Sequence, residues 1–380
     1  MGYFLVYFGV SPCRKELSKT MPYTQWTATS LSGKNLSDKE ALEILVSKDI
    51  DLLKLLDAAY QVRKTHWGND VTIHIINNAQ NGSCPEDCAY CAQAKTSDTD
   101  IETYPVKEEE EIMAEAKRAY EAGAYRYCMV YAGRGPRAKR VDQLAHLVKK
   151  IKDTYPIQVC VSAGLMDDDG AKKLKVAGLD RLNHNLNTSE SHYANICTTH
   201  TFQDRLNTLR AAQNNNLEIC SGLIAGMGEA PEDIVEVAQR LRQLKSKSIP
   251  INFLIPIPGT TLKSFSTLTP NFCLRILCLF RFLNPEAEIR VAAGREIHLR
   301  TMQVMALYPA SSLFMDGYLN TTGTNAAQTL QMIKDAGFRI RGSFELEEVL
   351  SNLTQPTDAG HNDTHGQVVL KQLKELRPTA

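Results

Sequence analysis

The sequence predicts an α/β protein: a closed (β/α)8 TIM-type barrel with an N-terminal helical extension and a loose C-terminal tail. Three observations predict it. Eight short strand-like runs recur along the 380 residues, at 71–77, 125–131, 157–162, 182–187, 218–224, 250–255, 289–293 and 312–316. Helical patterns fill the intervals, and such alternation implies parallel strands joined by crossover helices. The length suits one barrel of ~250 residues with extensions. Strand counting alone leaves an open doubly wound sheet as the alternative.

Residues 1–36 form the N-terminal extension, polar and irregular to about Asn35. Ser37 followed by Glu40 is a capping-box signal that opens two helices running to Lys64. The segment 108–122 has acidic residues in its first turn, which suits the helix dipole. Val141, Leu144, Leu147, Val148 and Ile151 recur at helical spacing, as do Ile234, Val235, Ala238, Leu241 and Leu244 after Pro231. Gly123 and Gly178 fall where helices end before the next strand. The barrel region is assigned to 37–342, and 343–380 to the polar tail.

Hydrophobic residues make up 43% and charged residues 23%, as in ordinary soluble globular proteins. The formal net charge is zero, so nothing favours a nucleic-acid or membrane-surface partner. The most apolar runs, 4–10 and 272–283, fall short of the ~20 residues a membrane span needs, and Arg275 and Arg281 interrupt the second. The N-terminus makes a poor signal peptide, and Met21 is a candidate start. The expected compartment is the cytoplasm, where ten cysteines are metal ligands or catalytic groups more readily than a disulfide framework.

The strongest local signal is Cys84-Pro-Glu-Asp-Cys88-Ala-Tyr-Cys91, on the loop after the first strand. Three thiolates at spacings of four and three can wrap one iron–sulfur cluster or one zinc ion. A structural zinc site takes four protein ligands, so three cysteines leave one iron of a four-iron cluster open to a small molecule. The competing reading is a zinc knuckle completed by His74 or a later cysteine.

Cys128, Cys160 and Cys220 lie in the second, third and fifth strands, and Arg290 in the seventh. They are either scattered core residues, with Arg290 reaching solvent, or one interior set. A buried arginine needs a counter-charge, which an anionic cluster on three thiolates would supply. Cys13, Cys197, Cys273 and Cys278 read as ordinary residues. In the fourth strand Asn183, Asn185 and Asn187 alternate, so all three face one side and His184 the other. Together with Asn252 they suit a polar ligand, or an internal network with water. Arg205, early in a helix, can bind a carboxylate or be a solvated face residue. The glycines of Gly222-Leu-Ile-Ala-Gly226-Met-Gly228 allow a close approach to a flat ring. The tight loop 131–136 lies at the barrel end where active sites sit.

Taken in order, Asn81-Gly-Ser-Cys-Pro-Glu-Asp-Cys-Ala-Tyr-Cys91, Arg126-Tyr-Cys-Met129, Asn183-His-Asn-Leu-Asn-Thr-Ser189, Cys220-Ser-Gly222, Pro250-Ile-Asn252 and Ala293-Gly-Arg-Glu296 resemble the biotin synthase family of radical S-adenosylmethionine enzymes, over roughly 37–342. The resemblance implies a homodimeric barrel with a [4Fe-4S] cluster on Cys84, Cys88 and Cys91. It implies a [2Fe-2S] cluster on Cys128, Cys160, Cys220 and Arg290, the expected source of inserted sulfur. It places Tyr90, Asn185, Asn187 and Arg205 on S-adenosyl-L-methionine, the asparagines at its ribose and Arg205 at its carboxylate. Asn183, Asn185 and Asn252 contact dethiobiotin. Position 187 is Asp in some members and Asn here; either can bond a ribose hydroxyl. The implied reaction inserts sulfur into dethiobiotin in two radical rounds, with electrons from a flavodoxin or ferredoxin. The alternatives are a hydrogenase maturase, methylornithine synthase or lipoyl-type sulfur insertase on the same barrel, or a non-catalytic metal-binding protein.

Overall fold

The computed structural model describes residues 22–262, 265–266, 268–353 and 368–378; Cys13 and the candidate start at Met21 lie outside them. Among the described residues ten strands run in chain order: β1 (Asp70–Gln80), β2 (Arg126–Tyr131), β3 (Gln158–Ser162), β4 (Arg181–Asn183), β5 (Glu218–Cys220), β6 (Leu223–Ala225), β7 (Ser248–Phe253), β8 (Glu288–Val291), β9 (Ser312–Phe314) and β10 (Arg339–Ile340). Each pairs in parallel with its neighbours, and β1 pairs with both β2 and β9, which closes the ring. The barrel therefore has eight staves, and the open sheet is excluded. β5 and β6 share the fifth stave, with Cys220 opposite Ser248 and Leu223 opposite Ile251.

The break in that stave has a steric cause. A Cβ on Gly222 would sit 1.8 Å from the Pro250 carbonyl oxygen, so only glycine allows this approach. β4 is likewise shorter than expected. Ladder pairing stops at Asn183, and Asn187 makes only an isolated bridge to Leu223.

Alternation along the strands divides the barrel. Ile73, Tyr127, Val159, Leu182, Ile219, Ile249, Ile289 and Leu313 are buried on one face. There they meet the apolar stripes of the surrounding helices, such as Val141, Leu144, Val148 and Ile151 of helix Ala138–Thr154. Each such side chain contributes about 1.5–3 kcal/mol by burial. The alternate positions, among them His74, Arg126, Cys128, Cys160, Ser248, Glu288 and Arg290, are buried and mostly polar. They contact one another across the barrel interior, described below.

The capping box at Ser37 is present and opens helix Asp38–Val46, followed by Leu52–Trp67. Two flanking segments differ from expectation. Residues 22–31, expected to be irregular, form helix Pro22–Leu31, because Tyr23 and Trp26 share a buried face. Trp26 packs edge-on to Phe282, with ring centroids 6.3 Å apart. Beyond Gly342, where a loose tail was expected, helix Leu346–Leu353 buries Leu346, Val349 and Leu350 against the barrel. Residues 368–378 also pack back: Leu370 bridges Thr321, and Arg377 pairs with Glu111 at 2.7 Å.

Candidate active site

The C-terminal ends of the strands open into a cavity of about 290 Å³. Cys84, Tyr90 and Cys91 border it at the mouth, and Asn183, Asn185, Asn187, Arg205 and Asn252 line its walls. The residues singled out in the sequence for cofactor and substrate thus meet in one space.

The three-cysteine loop is held by its own acidic pair. Asp87 accepts hydrogen bonds from the Thr198 and Thr199 amides at 3.0 and 3.1 Å. Glu86 accepts from Thr199 Oγ1 at 2.7 Å and meets His200 Nδ1 at 2.6 Å. The Ala89 amide donates to the Ile196 carbonyl at 2.8 Å. Burial raises the Cys84 thiol and pushes Cys91 up to about 11. Cys88 is also raised, first by its hydrogen bond to Cys197 and then by burial. A metal bound to this loop must displace the thiol protons.

Nothing in the sequence marks Cys197 out. It nevertheless lies 3.7 Å from Cys88, sulfur to sulfur, and beside His200. Its spacing to the loop in sequence, over one hundred residues, gave no signal of this contact. Cys273 and Cys278 are buried in helix Pro270–Leu283, as expected. His74 lies deep in the barrel against Cys128, not beside the loop, which removes it as a fourth ligand there.

Arg205 is buried and pinned on three sides. Its Nη1 donates to the Asn185 carbonyl at 2.8 Å, Nη2 meets His200 Nε2 at 2.9 Å, and Nε bonds Tyr193 Oη. It is not a solvated face residue. Asn187 has φ 70°, a left-handed conformation that asparagine tolerates, and its amide bonds Tyr90 Oη. Asn252 donates to the Leu223 carbonyl at 2.9 Å and accepts from the Ala293 amide at 3.3 Å, which fixes its plane. His184, expected on the outer face, also borders the cavity, because strict alternation ends with the ladder at Asn183.

Below the asparagines, Cys128, Cys160 and Cys220 form one buried cluster against Ile76 and Phe314. They are not scattered. Asn183 Nδ2 lies 3.3 Å from Cys220 Sγ, and Arg290 Nη1 lies 3.7 Å from the same sulfur. A hydrogen bond donated by Cys160 lowers the Cys128 thiol, and donating that same bond pushes Cys160 up to about 12.

Arg290 has a counter-charge that sequence reading missed, Glu288, two residues earlier on β8. This carboxylate is fully buried and also meets Arg126 at 3.1 Å, Arg181 at 2.9 Å and His74 at 3.1 Å. Three guanidiniums thus surround one buried carboxylate; Arg181 also pairs with Glu218 at 2.9 Å, so two carboxylates offset three guanidiniums and the floor of the barrel remains positive. That excess suits thiolates and an anionic metal cluster above it. Both cysteine sets are soft donors suited to iron–sulfur clusters.

A closed parallel barrel with this loop after its first strand defines the class: the sequence profile of the Radical SAM superfamily matches residues 81–241. The Biotin and Thiamin Synthesis associated domain matches residues 250–339. A biotin synthase from Acaryochloris marina is 56% identical over 325 residues, 86% of this chain and 94% of its own. One from Magnetococcus marinus is 55% identical, covering 81% and 96%, and one from Bacillus subtilis is 43% identical, covering 84% and 96%. The chain belongs to the biotin synthase family. Solved structures of a methylornithine synthase (TM-score 0.70, 18% identity, 82% of this chain and 96% of that one) and of the FeFe-hydrogenase maturase from Carboxydothermus hydrogenoformans (TM-score 0.72, 18% identity, 86% and 81%) share the fold.

Proposed function

We propose how this chain, a radical S-adenosylmethionine enzyme of the biotin synthase family, divides the conversion of dethiobiotin to biotin among its residues. Cys84, Cys88 and Cys91 hold the [4Fe-4S] cluster, and Cys128, Cys160, Cys220 and Arg290 hold the [2Fe-2S] cluster. When bound, the first group supplies an electron that cleaves S-adenosyl-L-methionine to a carbon radical, and the second supplies sulfur. The observation that carries the reading is axial order. One cysteine set stands at the cavity mouth, amides line its middle, and the second set lies beneath Asn183 and Asn185.

The protein's part is placement and exclusion of water. Arg205, immobilised by Tyr193, Asn185 and His200, is preorganised for the cofactor carboxylate. Tyr90 and Asn187 hold one another beside the ribose position. Asn183, Asn185 and Asn252 offer donors and acceptors to the ureido ring of dethiobiotin. Phe253, Ile255 and Ile257 close an apolar wall.

The reduction needs an external one-electron donor of the flavodoxin or ferredoxin type. The working form is a homodimer in the cytoplasm, a placement supported by nine free cysteines among the described residues. No helix among the described residues is long and apolar enough to cross a membrane.

The test is anaerobic reconstitution with iron and sulfide, then reduction with S-adenosyl-L-methionine and dethiobiotin, with mass spectrometry of the products. Wild type gives 5′-deoxyadenosine and biotin. Cys88→Ala gives neither, whereas Cys160→Ala retains part of the cleavage and makes no biotin. Equal loss of cleavage in both variants would contradict the division between the two cysteine sets.

A further inference from the structure

The mechanism gives no task to His74, a fully buried polar side chain at the second cysteine set. His74 is 0% exposed, on β1, opposite Arg126 of β2 in the ladder. Its Nδ1 points to Cys128 Sγ at 3.8 Å. Its Nε2 meets Glu288 Oε1 at 3.1 Å, Arg126 Nη1 at 3.3 Å, Arg290 Nη2 at 3.4 Å and Thr72 Oγ1 at 3.4 Å. The ring is seated edge-on to Phe314, with centroids 5.9 Å apart.

The two ring nitrogens face different chemistry. Nε2 has two guanidinium donors and one carboxylate around it, so either tautomer is satisfied there. Nδ1 has the Cys128 sulfur. As a thiol, Cys128 can donate to an unprotonated Nδ1 while Nε2–H donates to Glu288. As a metal-bound thiolate, Cys128 has no proton and can only accept. The ring then meets it by carrying a proton on Nδ1, with Nε2 held among Arg126, Arg290 and Glu288.

We propose that His74 is a positioning residue of the second cluster: its Nδ1–H donates to the iron-bound Cys128 sulfur and draws charge from it, while Nε2 anchors the ring to the arginines that flank Glu288. Hydrogen bonds to cluster sulfurs shift reduction potentials, and withdrawal of charge from the thiolate raises this one. The inference rests on the [2Fe-2S] assignment made above.

Two substitutions separate the ends of the ring. Asn places its amide near the former Nδ1, and Gln places its amide near the former Nε2. With the reconstituted full-length protein, His74→Gln is expected to make the two-iron cluster's potential more negative. His74→Asn should stay close to wild type. The Fe–S(Cys) stretching bands in resonance Raman spectra should move only in His74→Gln. A wild-type measurement covers the case in which either variant misfolds. After labelling with 15N-histidine and reduction, pulsed electron paramagnetic resonance should show a histidine nitrogen and an exchangeable proton coupled to the two-iron cluster.

Absence of both couplings, from protein whose second cluster is present by iron content and visible absorption, overturns the inference. So does an unchanged potential in His74→Gln. If wild type takes up no second cluster at all, it is the underlying assignment that fails, and the two failures are distinct.

Discussion

Glu288 decides whether the barrel floor holds. Burial by itself would raise its carboxyl, but Arg126, then His74, Arg290 and Arg181, outweigh burial and hold it well below the usual carboxylate range. Its contribution to stability is therefore complete above the unfolded-state value, about 4.3. It is lost as pH falls through the lower folded-state value. Glu288→Gln leaves Arg126 and Arg290 facing a neutral amide while Arg181 keeps Glu218, and an unpaired buried charge costs about 3–5 kcal/mol. Urea unfolding near pH 7 should show a loss of that size. The variant should also lose up to one proton of acid dependence from about pH 4.3 downward, through the lower folded-state value. A variant as stable as wild type, or with the same acid slope, would mean that Glu288 does not balance these arginines.

At the scale of elements, the N-terminal helix offers a sharp test. Helix Pro22–Leu31 has a Thr- and Ser-rich sequence with modest helix preference, and it stands because Trp26 docks on Phe282 and Tyr23. Trp26→Ala should destabilise the protein by about 3–5 kcal/mol, the usual range for losing a buried aromatic. Calorimetry would read this as a lower melting temperature, and intact stability would mean the helix is dispensable. This helix also shows where sequence reading stops. Strands with a buried face and helices with long stripes, such as Ala138–Thr154, declare themselves by period. A ten-residue helix held by one tryptophan has no period to count. The same limit applies to the site. Cys84, Cys88 and Cys91 are legible because a single loop carries them. Glu288, Cys197 and the wall residue Tyr318 become neighbours of the site only when the barrel closes. The split of β5 from β6 depends on a backbone contact between Gly222 and Pro250 that no local pattern encodes.

At the scale of the whole molecule, the chain's end is tied to the mouth of the cavity. Tyr318, Leu319, Asn320 and Thr321 form part of the cavity wall and follow β9 in a loop. The segment 368–378 lies against that loop. The Thr322 amide donates to the Val369 carbonyl at 3.0 Å, and the Lys371 amide donates to the Asn320 carbonyl at 2.8 Å. Its far end is anchored by Arg377 on Glu111 and by Lys107 Nζ on the Leu376 carbonyl at 2.5 Å. Most of the barrel's apolar core lies elsewhere, so removing residues 368–380 should leave the fold intact and free the loop. Hydrogen exchange at 318–322 should then quicken, since the Thr322 amide loses its partner and the turn closed by the Tyr318 and Thr321 amides loses its support. Binding of S-adenosyl-L-methionine and dethiobiotin should weaken by about tenfold, equivalent to about 1.4 kcal/mol. Arg377→Ala should do less, because this partly exposed ion pair is worth about 1 kcal/mol or below. The order of effects carries the argument. Truncation acts on the backbone bonds that hold the wall, and the point variant only on their anchor. Equal exchange rates at 318–322 in the truncated and full-length proteins would show that the wall stands without the strap.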